Sequence, residues 1–358
     1  MFSIFWPVKL AFGVFKFLLN LVVLATCALT IAAMMGDKGW LWSLTTHFRM
    51  QYLGIQVLAL LLVVLACSLS RKDNQTASAW TESRLSIGFL CFFIMLNLTP
   101  ILPYYLPSSR PSVAELKFSH PVTLMHFNLF GQINRDTASV AQAITAADPD
   151  IVDLVEYTPA WQHALEQTGV WRRYPYRVAG KGHIALYSKL PLQNARLTYA
   201  APGKQVANQA NIIAQVSINR QPVTILVAHP ASPILPSHLT WLKQSFQTWQ
   251  QERSRLGQNL LVVGDLNTSP WSKEFESMTR NTGLRDSQLG YGIQPSWPML
   301  LPILGIRSTP TLMTNLLAIP IDHVLVSERI LVFSRKTGPF VSSDHLPVTV
   351  EIGMKADS

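Results

Sequence analysis

The stretch Val262-Val263-Gly264-Asp265-Leu266-Asn267-Thr268-Ser269-Pro270 closes an apolar run that begins at Leu260. A short continuous apolar run bounded by glycine suits a strand buried on both faces, as inside a layered α/β domain. Strand period two, carried past Gly264, points Asp265 and Asn267 the same way. An acid and an amide so placed can share one phosphate or one metal ion. Taken alone the pair has a plainer explanation, because Asp and Asn at a strand exit commonly bond their own backbone in a turn. The rest of the chain decides between the two.

Of 358 residues, 49% are hydrophobic and only 14% charged, where about a quarter charged is usual for soluble domains. The shortfall assigns part of the chain to lipid. Apolar segments at about 17–35, 52–69 and 85–102 are each long enough to cross a bilayer as a helix. They predict a membrane region over 1–105 with three transmembrane helices, so the lipid bilayer is an expected partner. A cleaved signal peptide does not fit, because the first stretch is too long and two more follow. Asn97 and Pro100 interrupt the third segment, whose alternative is to lie on the membrane surface. Lys9, Lys16, Arg71, Lys72 and Arg84 flank one side, and Lys38, Arg49, Arg110 and Lys117 the other. That balance favours a cytoplasmic N-terminus and, after an odd number of spans, an extracytoplasmic C-terminal domain on a multi-pass inner-membrane protein. Trp40 and Trp42 are expected at a membrane interface. Cys27, Cys67 and Cys91 all fall within the apolar segments, which leaves the remaining chain without disulfides.

Pro103 to Pro111 reads as a stiff connection, giving a linker over 106–118 and a second domain over 119–354. Residues 111–358 hold 21 basic and 17 acidic side chains, a net +4 that argues only weakly for nucleic acid. Strands are expected at 122–127, 151–155, 183–188, 211–218, 223–228, 260–263, 323–326 and 348–352, with helices at 136–147 and 237–252. Asp136 or Thr137 is the expected cap of the first helix. The alternation gives layered α/β structure. Short connections such as Asn219-Arg220-Gln221-Pro222 join hairpins, so two packed mixed β-sheets flanked by helices are expected.

Polar residues recur at the ends of these strands: Asn128, Glu156, His229-Pro230, Asp265 and Asn267, Asp322-His323, and Ser343-Asp344-His345. Any one has an ordinary structural explanation. Together they converge on one cleft, because strand termini facing one edge meet there. With the strand Gly182-His183-Ile184-Ala185-Leu186-Tyr187-Ser188 and the blocks Gly264-Asp265-Leu266-Asn267 and Ser343-Asp344-His345-Leu346-Pro347, their order resembles the endonuclease/exonuclease/phosphatase superfamily, in a membrane-anchored bacterial form.

The resemblance implies a four-layered α/β-sandwich and metal-dependent phosphoester hydrolysis by in-line attack of an activated water. A hard divalent cation on carboxylate oxygen offsets the charge of the ester. In the resemblance, Glu156 holds Mg²⁺ (Mn²⁺ or Ca²⁺ as alternatives) with Asn128, and Asp344 helps or takes a second ion. Asp265 orients or deprotonates the water, Asn267 holds the phosphate, His345 and Asp322 pair beside it, and His229 bonds it from the opposite wall. His183 and His323 are left outside this set. Val155 stands where nucleases of the family often carry glutamine, and Tyr157-Thr158-Pro159 lacks a following arginine. The substrate is therefore a phosphoester of nucleic acid, or alternatively of phospholipid or small-molecule type. Arg172, Arg173, Arg177 and Lys181 form the densest basic stretch. The proline-rich apolar segment 294–321 is expected to line the cleft as a lip, to touch the bilayer, or to pack on its own core. The competing function is a non-catalytic membrane-anchored binding domain. No protein partner is implied.

Overall fold

The computed structural model describes residues 5–70, 77–107, 110–111, 121–179, 182–199 and 210–355. Arg71, Lys72, Lys117, Lys181 and most of the expected linker lie outside them. The chain divides into two compact units, Met1–Leu102 and Pro103–Ser358.

The first unit holds α1 (Phe5–Met34), α2 (Trp40–Thr46), α3 (Arg49–Ser70) and α4 (Ala77–Ile101). Three helical stretches are long and apolar enough to cross a membrane, Phe17–Met34 in α1, Arg49–Ser68 in α3 and Arg84–Tyr105, which begins in α4 and runs past its end. Val23, Cys27, Ala59, Leu90 and Phe93 pack between the long helices. Asn97, read from sequence as an interruption, instead ties them together. Its Nδ2 donates to Thr30 Oγ1 at 2.9 Å and to Gln56 Oε1 at 3.0 Å, one partner from each other long helix. Hydrogen bonds of this kind hold helices where the apolar effect between them is weak.

The second unit runs β1 (Val122–Asn128), α5 (Thr137–Ala147), β2 (Ile151–Val155), α6 (Pro159–Thr168), β3 (Tyr176–Ala179), β4 (Ile184–Ser188), β5 (Gln193–Tyr199), β6 (Ala210–Ile218) and β7 (Gln221–Ala228). It continues with α7 (Pro236–Glu252), β8 (Leu260–Asp265), α8 (Lys273–Thr282), β9 (Arg285–Asp286), α9 (Leu312–Leu317), β10 (Asp322–Val326), β11 (Ile330–Thr337) and β12 (Val348–Met354). Two six-stranded mixed sheets result, ordered β11-β12-β1-β2-β4-β3 and β5-β6-β7-β8-β10-β9. Each has one parallel pair at its centre, β1·β2 and β7·β8, bridged by a helix.

Alternation along the strands builds the layers. Leu124, Ile151, Val227, Val263 and Val324 face between the sheets. Met125, Phe127, Val152 and Leu154 face outward against Val140 and Ile144 of α5 and Trp161 and Leu165 of α6. On the other sheet Leu226, Val262 and Leu325 meet Leu242 and Phe246 of α7 and Phe275 and Met278 of α8. Helix, sheet, sheet and helix give the four expected layers, each large side chain stabilising by about 1.5–3 kcal/mol on burial. The caps agree with the sequence: Asp136 accepts from Ser139 N at 3.1 Å, and Asp148 ends α5 in the left-handed region at φ 44 before Pro149.

Residues just after Pro103 are hydrogen-bonded within the second unit. The Tyr104 carbonyl accepts from Gly290 N at 3.0 Å and Gly292 N at 2.8 Å. Arg110 donates to Gly290 O at 2.8 Å and lies over the Tyr291 ring.

Candidate active site

Topology explains why the polar residues meet. In the parallel pairs β1·β2 and β7·β8 the carboxyl ends lie together, and β10 and β12, antiparallel to β8 and β1, begin where those strands end. Asp322 therefore pairs directly with Asp265 in the register. A cleft of about 380 Å³ opens there, and Glu156, His229, Asp265, Asn267, Asp344 and His345 all line it. Asn128 and Asp322, both fully buried, stand behind. All eight sequence-selected residues belong to this one cluster.

Asp265 satisfies both of its sequence readings at once. Its Oδ1 accepts from Asn267 N at 2.9 Å, the ordinary turn bond. Its Oδ2 accepts from Asn128 Nδ2 at 3.0 Å and lies 3.5 Å from His229 Nε2 and 3.6 Å from His345 Nε2. Asn267 reaches the cleft by a left-handed turn at φ 51, not by the strand pleat, and donates to Pro230 O at 3.0 Å. Glu156 is also left-handed, at φ 56, which turns its carboxylate back toward β1. Oε2 accepts from Gly131 N at 3.1 Å and Oε1 from Asn128 Nδ2 at 3.3 Å. The loop after β1 comes so close that a Cβ at Gly131 would lie 1.8 Å from Glu156 O.

On the opposite side His345 Nδ1 meets Asp322 Oδ2 at 2.9 Å. Burial alone would discharge this ring, yet Asp322, Asp344 and Asp265 hold its pKa up at about 10. At neutral pH it is an imidazolium whose Nε2–H faces the cleft. Burial likewise pushes Asp265 and Asp322 upward, but the charge of His345 leads the effects that bring both below the usual carboxylate range. Asp344 differs. Burial, with Glu156 and Asp265 nearby, lifts it to about 6 despite His345 and a bond from Trp297 Nε1 to Oδ2 at 3.0 Å. Its Oδ1 is shielded from solvent and has no hydrogen-bond partner among the described residues.

Asp265, Asp322 and His345 also bring ligand atoms within 4.8 Å of one another. Both nitrogens of His345 face carboxylates, so the trio is a proton-holding group. Glu156 and Asp344 place two further carboxylates in the same cleft, and Asp344 Oδ1 accepts no hydrogen bond among the described residues.

His323 is the packed imidazole that its sequence context allowed. Its Nδ1 meets Asp286 Oδ2 at 3.1 Å and its Nε2 meets Thr268 O at 2.8 Å, against the Phe275 ring. His183 is outside the cleft lining, its carbonyl accepting from Tyr157 N at 2.8 Å. Burial raises Asp286, but His323, hydrogen bonds and Arg335 bring its pKa below the usual value. A lowered folded pKa stabilises the fold above the unfolded value of about 4 and ceases to do so as pH falls through the folded value. Asp286→Asn should therefore cost about 3 kcal/mol at pH 7 and progressively less below pH ~4, as followed by denaturant unfolding at several pH values. A cost that does not shrink on acidification would contradict this assignment.

The segment 294–321 divides. Trp297 lines the cleft, and Met299 and Leu300 are buried, Met299 N donating to Asp344 O at 2.7 Å. Ile303, Leu304, Leu312 and Leu316 stand exposed, Ile303 at 99%. The far wall, unforeseen from sequence, comes from Ile234 and the start of α7, where His238 stacks on Trp241 at 4.9 Å. Of the basic stretch, the described Arg172, Arg173 and Arg177 do not line the cleft: Arg173 pairs with Asp148 and Arg177 with Glu166 on the surface. Also unforeseen are His126 and Asp153, hydrogen-bonded to each other behind Asp322.

Two helix-flanked mixed sheets with acids, amides and histidines at one shared edge define a phosphoester hydrolase of the sandwich type. Residues 125–345 match the model of the Endonuclease/Exonuclease/phosphatase family, and the chain belongs to that family. Solved structures agree on the fold. D. rerio TDP2 complexed with single strand DNA product superposes with a TM-score of 0.51 at 15% identity, covering 65% of this chain and 99% of that one. The family protein from Bacteroides vulgatus gives 0.51 at 15% identity, over 66% of this chain and 100% of its own. That from Beutenbergia cavernae gives 0.51 at 17% identity, over 66% and 72%. Among curated proteins none matches the sequence significantly.

Proposed function

We propose that this chain is a membrane-anchored, divalent-metal-dependent phosphodiesterase of the bacterial inner membrane, with its catalytic domain extracytoplasmic. Asp344 Oδ1, in the same cleft as Glu156, carries the reading: it accepts no hydrogen bond among the described residues and its ion-pair contact with His345 Nε2 is as long as 3.9 Å, which leaves this buried carboxylate oxygen free to take a cation. Glu156 and Asp344 would hold Mg²⁺, with Asn128 fixing Glu156 by its amide nitrogen while its own Oδ1 accepts from Phe130 N at 3.0 Å. The ion, when bound, supplies positive charge that offsets the anionic ester and its leaving oxygen. Asp265, ionised and braced by Asn128, orients the attacking water. The Nε2–H of His345 and the ring of His229 donate to the phosphate from two sides, Asn267 holds it at the rim, and Asp322 fixes the orientation of the charged His345 ring.

The lining favours one kind of ester. Among the described residues no Lys or Arg borders the cleft, whereas Ile234, Trp241 and Trp297 do. A nucleic-acid backbone calls for several cations along its track. One phosphate attached to an apolar or aromatic group suits these walls better, so a lipid or small-molecule phosphodiester is favoured over nucleic acid.

The test is hydrolysis of bis(p-nitrophenyl) phosphate by the full chain in detergent, with Mg²⁺ or with chelator. Turnover that requires Mg²⁺ and falls about 100-fold or more in Glu156→Gln is expected. Turnover that survives both chelator and Glu156→Gln would refute the metal reading, and none under any condition would favour a binding domain.

A further inference from the structure

We propose that His126 and Asp153 are positioning residues for the reaction, fixing the Asp322 carboxylate and through it the ring of His345. The inference rests on the phosphoesterase reading. It starts from two side chains that look misplaced. Leu124, Ile151, Val155 and Val324 fill the space between the sheets with aliphatic carbon, and strand alternation sends His126, Asp153 and Asp322 into the same layer. All three are fully buried.

Their connections form a single line. His126 and Asp153 are register partners across the parallel pair β1·β2. The Nδ1 of His126 meets Asp153 Oδ1 at 2.6 Å and its Nε2 meets Asp322 Oδ1 at 2.9 Å. The other oxygen of Asp322 takes His345 Nδ1 at 2.9 Å, and its peptide oxygen accepts from Arg335 Nη2 at 2.9 Å. Asp322 is thus held by one oxygen from each side, so its plane cannot turn without breaking a contact to a histidine. Asp153 Oδ2 has no partner among the described residues, which leaves His126 as the one side chain that Asp153 serves.

Energetics argue against a purely structural purpose. Buried ionic groups contribute little net stability compared with apolar residues of similar size, while loss of one partner is costly. Two leucines would fill this layer as its neighbours do. What aliphatic residues cannot do is hold a carboxylate in one orientation behind a histidine that faces the phosphate, the geometry on which donation by His345 depends.

The full chain in detergent, with Mg²⁺ and bis(p-nitrophenyl) phosphate, tests the role. His126→Gln and Asp153→Asn should each lower kcat about tenfold or more while KM stays within about twofold. In an Asp322→Asn background, where the positioned carboxylate is gone, His126→Gln should add less than about a twofold further loss. His126→Leu/Asp153→Leu is the decisive companion, because it removes the His126–Asp153 pair together and leaves only Asp322 Oδ1 without its partner: it should unfold closer to the wild-type Tm than either single variant yet keep the kcat loss. Wild-type kcat in that double variant, or equal fold-losses for His126→Gln in both backgrounds, would overturn the role while leaving the phosphoesterase intact. A wild type inert on every phosphoester would sink both.

Discussion

Asp265→Asn is expected to lower kcat on a phosphodiester by about 10³-fold, with KM within a few-fold of wild type. Asparagine keeps the Oδ1 that accepts from Asn267 N, so the turn survives. The damage falls on the other atom. Oδ2 receives Asn128 Nδ2 at 3.0 Å and lies 3.5 Å from His229 Nε2 and 3.6 Å from His345 Nε2. An amide nitrogen there would face donors on three sides, and flipping the amide to avoid them would forfeit the turn bond instead. Either orientation removes the negative charge proposed to orient the water. Steady-state kinetics with thermal unfolding checks the claim. A folded Asp265→Asn keeping more than a tenth of wild-type kcat would show that Asp265 does not touch the reacting water.

How far the sequence reached follows from burial. Ile151–Val155 and Leu260–Val263 were expected as strands because both faces of a central strand are covered, and every residue of β2 and β8 is buried. The edge strands escaped for the opposite reason. Gln193–Tyr199 is exposed over its first four residues, so its pattern is polar, and Tyr176–Ala179 is similar. Ile330–Thr337 escaped altogether, because a bulge at Val332/Ser334 shifts the alternation and Arg335 turns inward to Asp322 O. The cluster itself was legible because acids and amides ending apolar runs stand out. His126 and Asp153 did not, since each sits inside a strand, where a lone polar residue reads as noise. The signal was their coincidence: two ionisable residues in apolar strands that pair in register. The far wall at Ile234, His238 and Trp241 carried no comparable mark, because a helix start becomes a cleft wall only through tertiary packing.

The second large effect is on the fold at the site's own foundation. Gly264→Ala is expected to destabilise the catalytic domain by about 4 kcal/mol, lowering Tm by about 10 °C, and to remove most activity from the molecules that still fold. Two separate costs add. Gly264 sits at φ 152, where a side chain is strained. A Cβ there would also lie 1.8 Å from Ala228 O and 2.9 Å from Ala228 C, which are backbone atoms of the parallel neighbour and cannot swing away. Relief requires β7 and β8 to part at their carboxyl ends, just beyond the Val227–Val263 partnership. The next residues on those two strands are His229 and Asp265, whose Nε2 and Oδ2 lie 3.5 Å apart across the cleft. Strain at Gly264 is therefore transmitted to His229 and Asp265, the two groups proposed to act on the phosphate and its attacking water. Thermal unfolding and kcat measured on the same preparation decide it: a Gly264→Ala chain within about 2 °C of the wild-type Tm would mean that the two strands do not approach this closely.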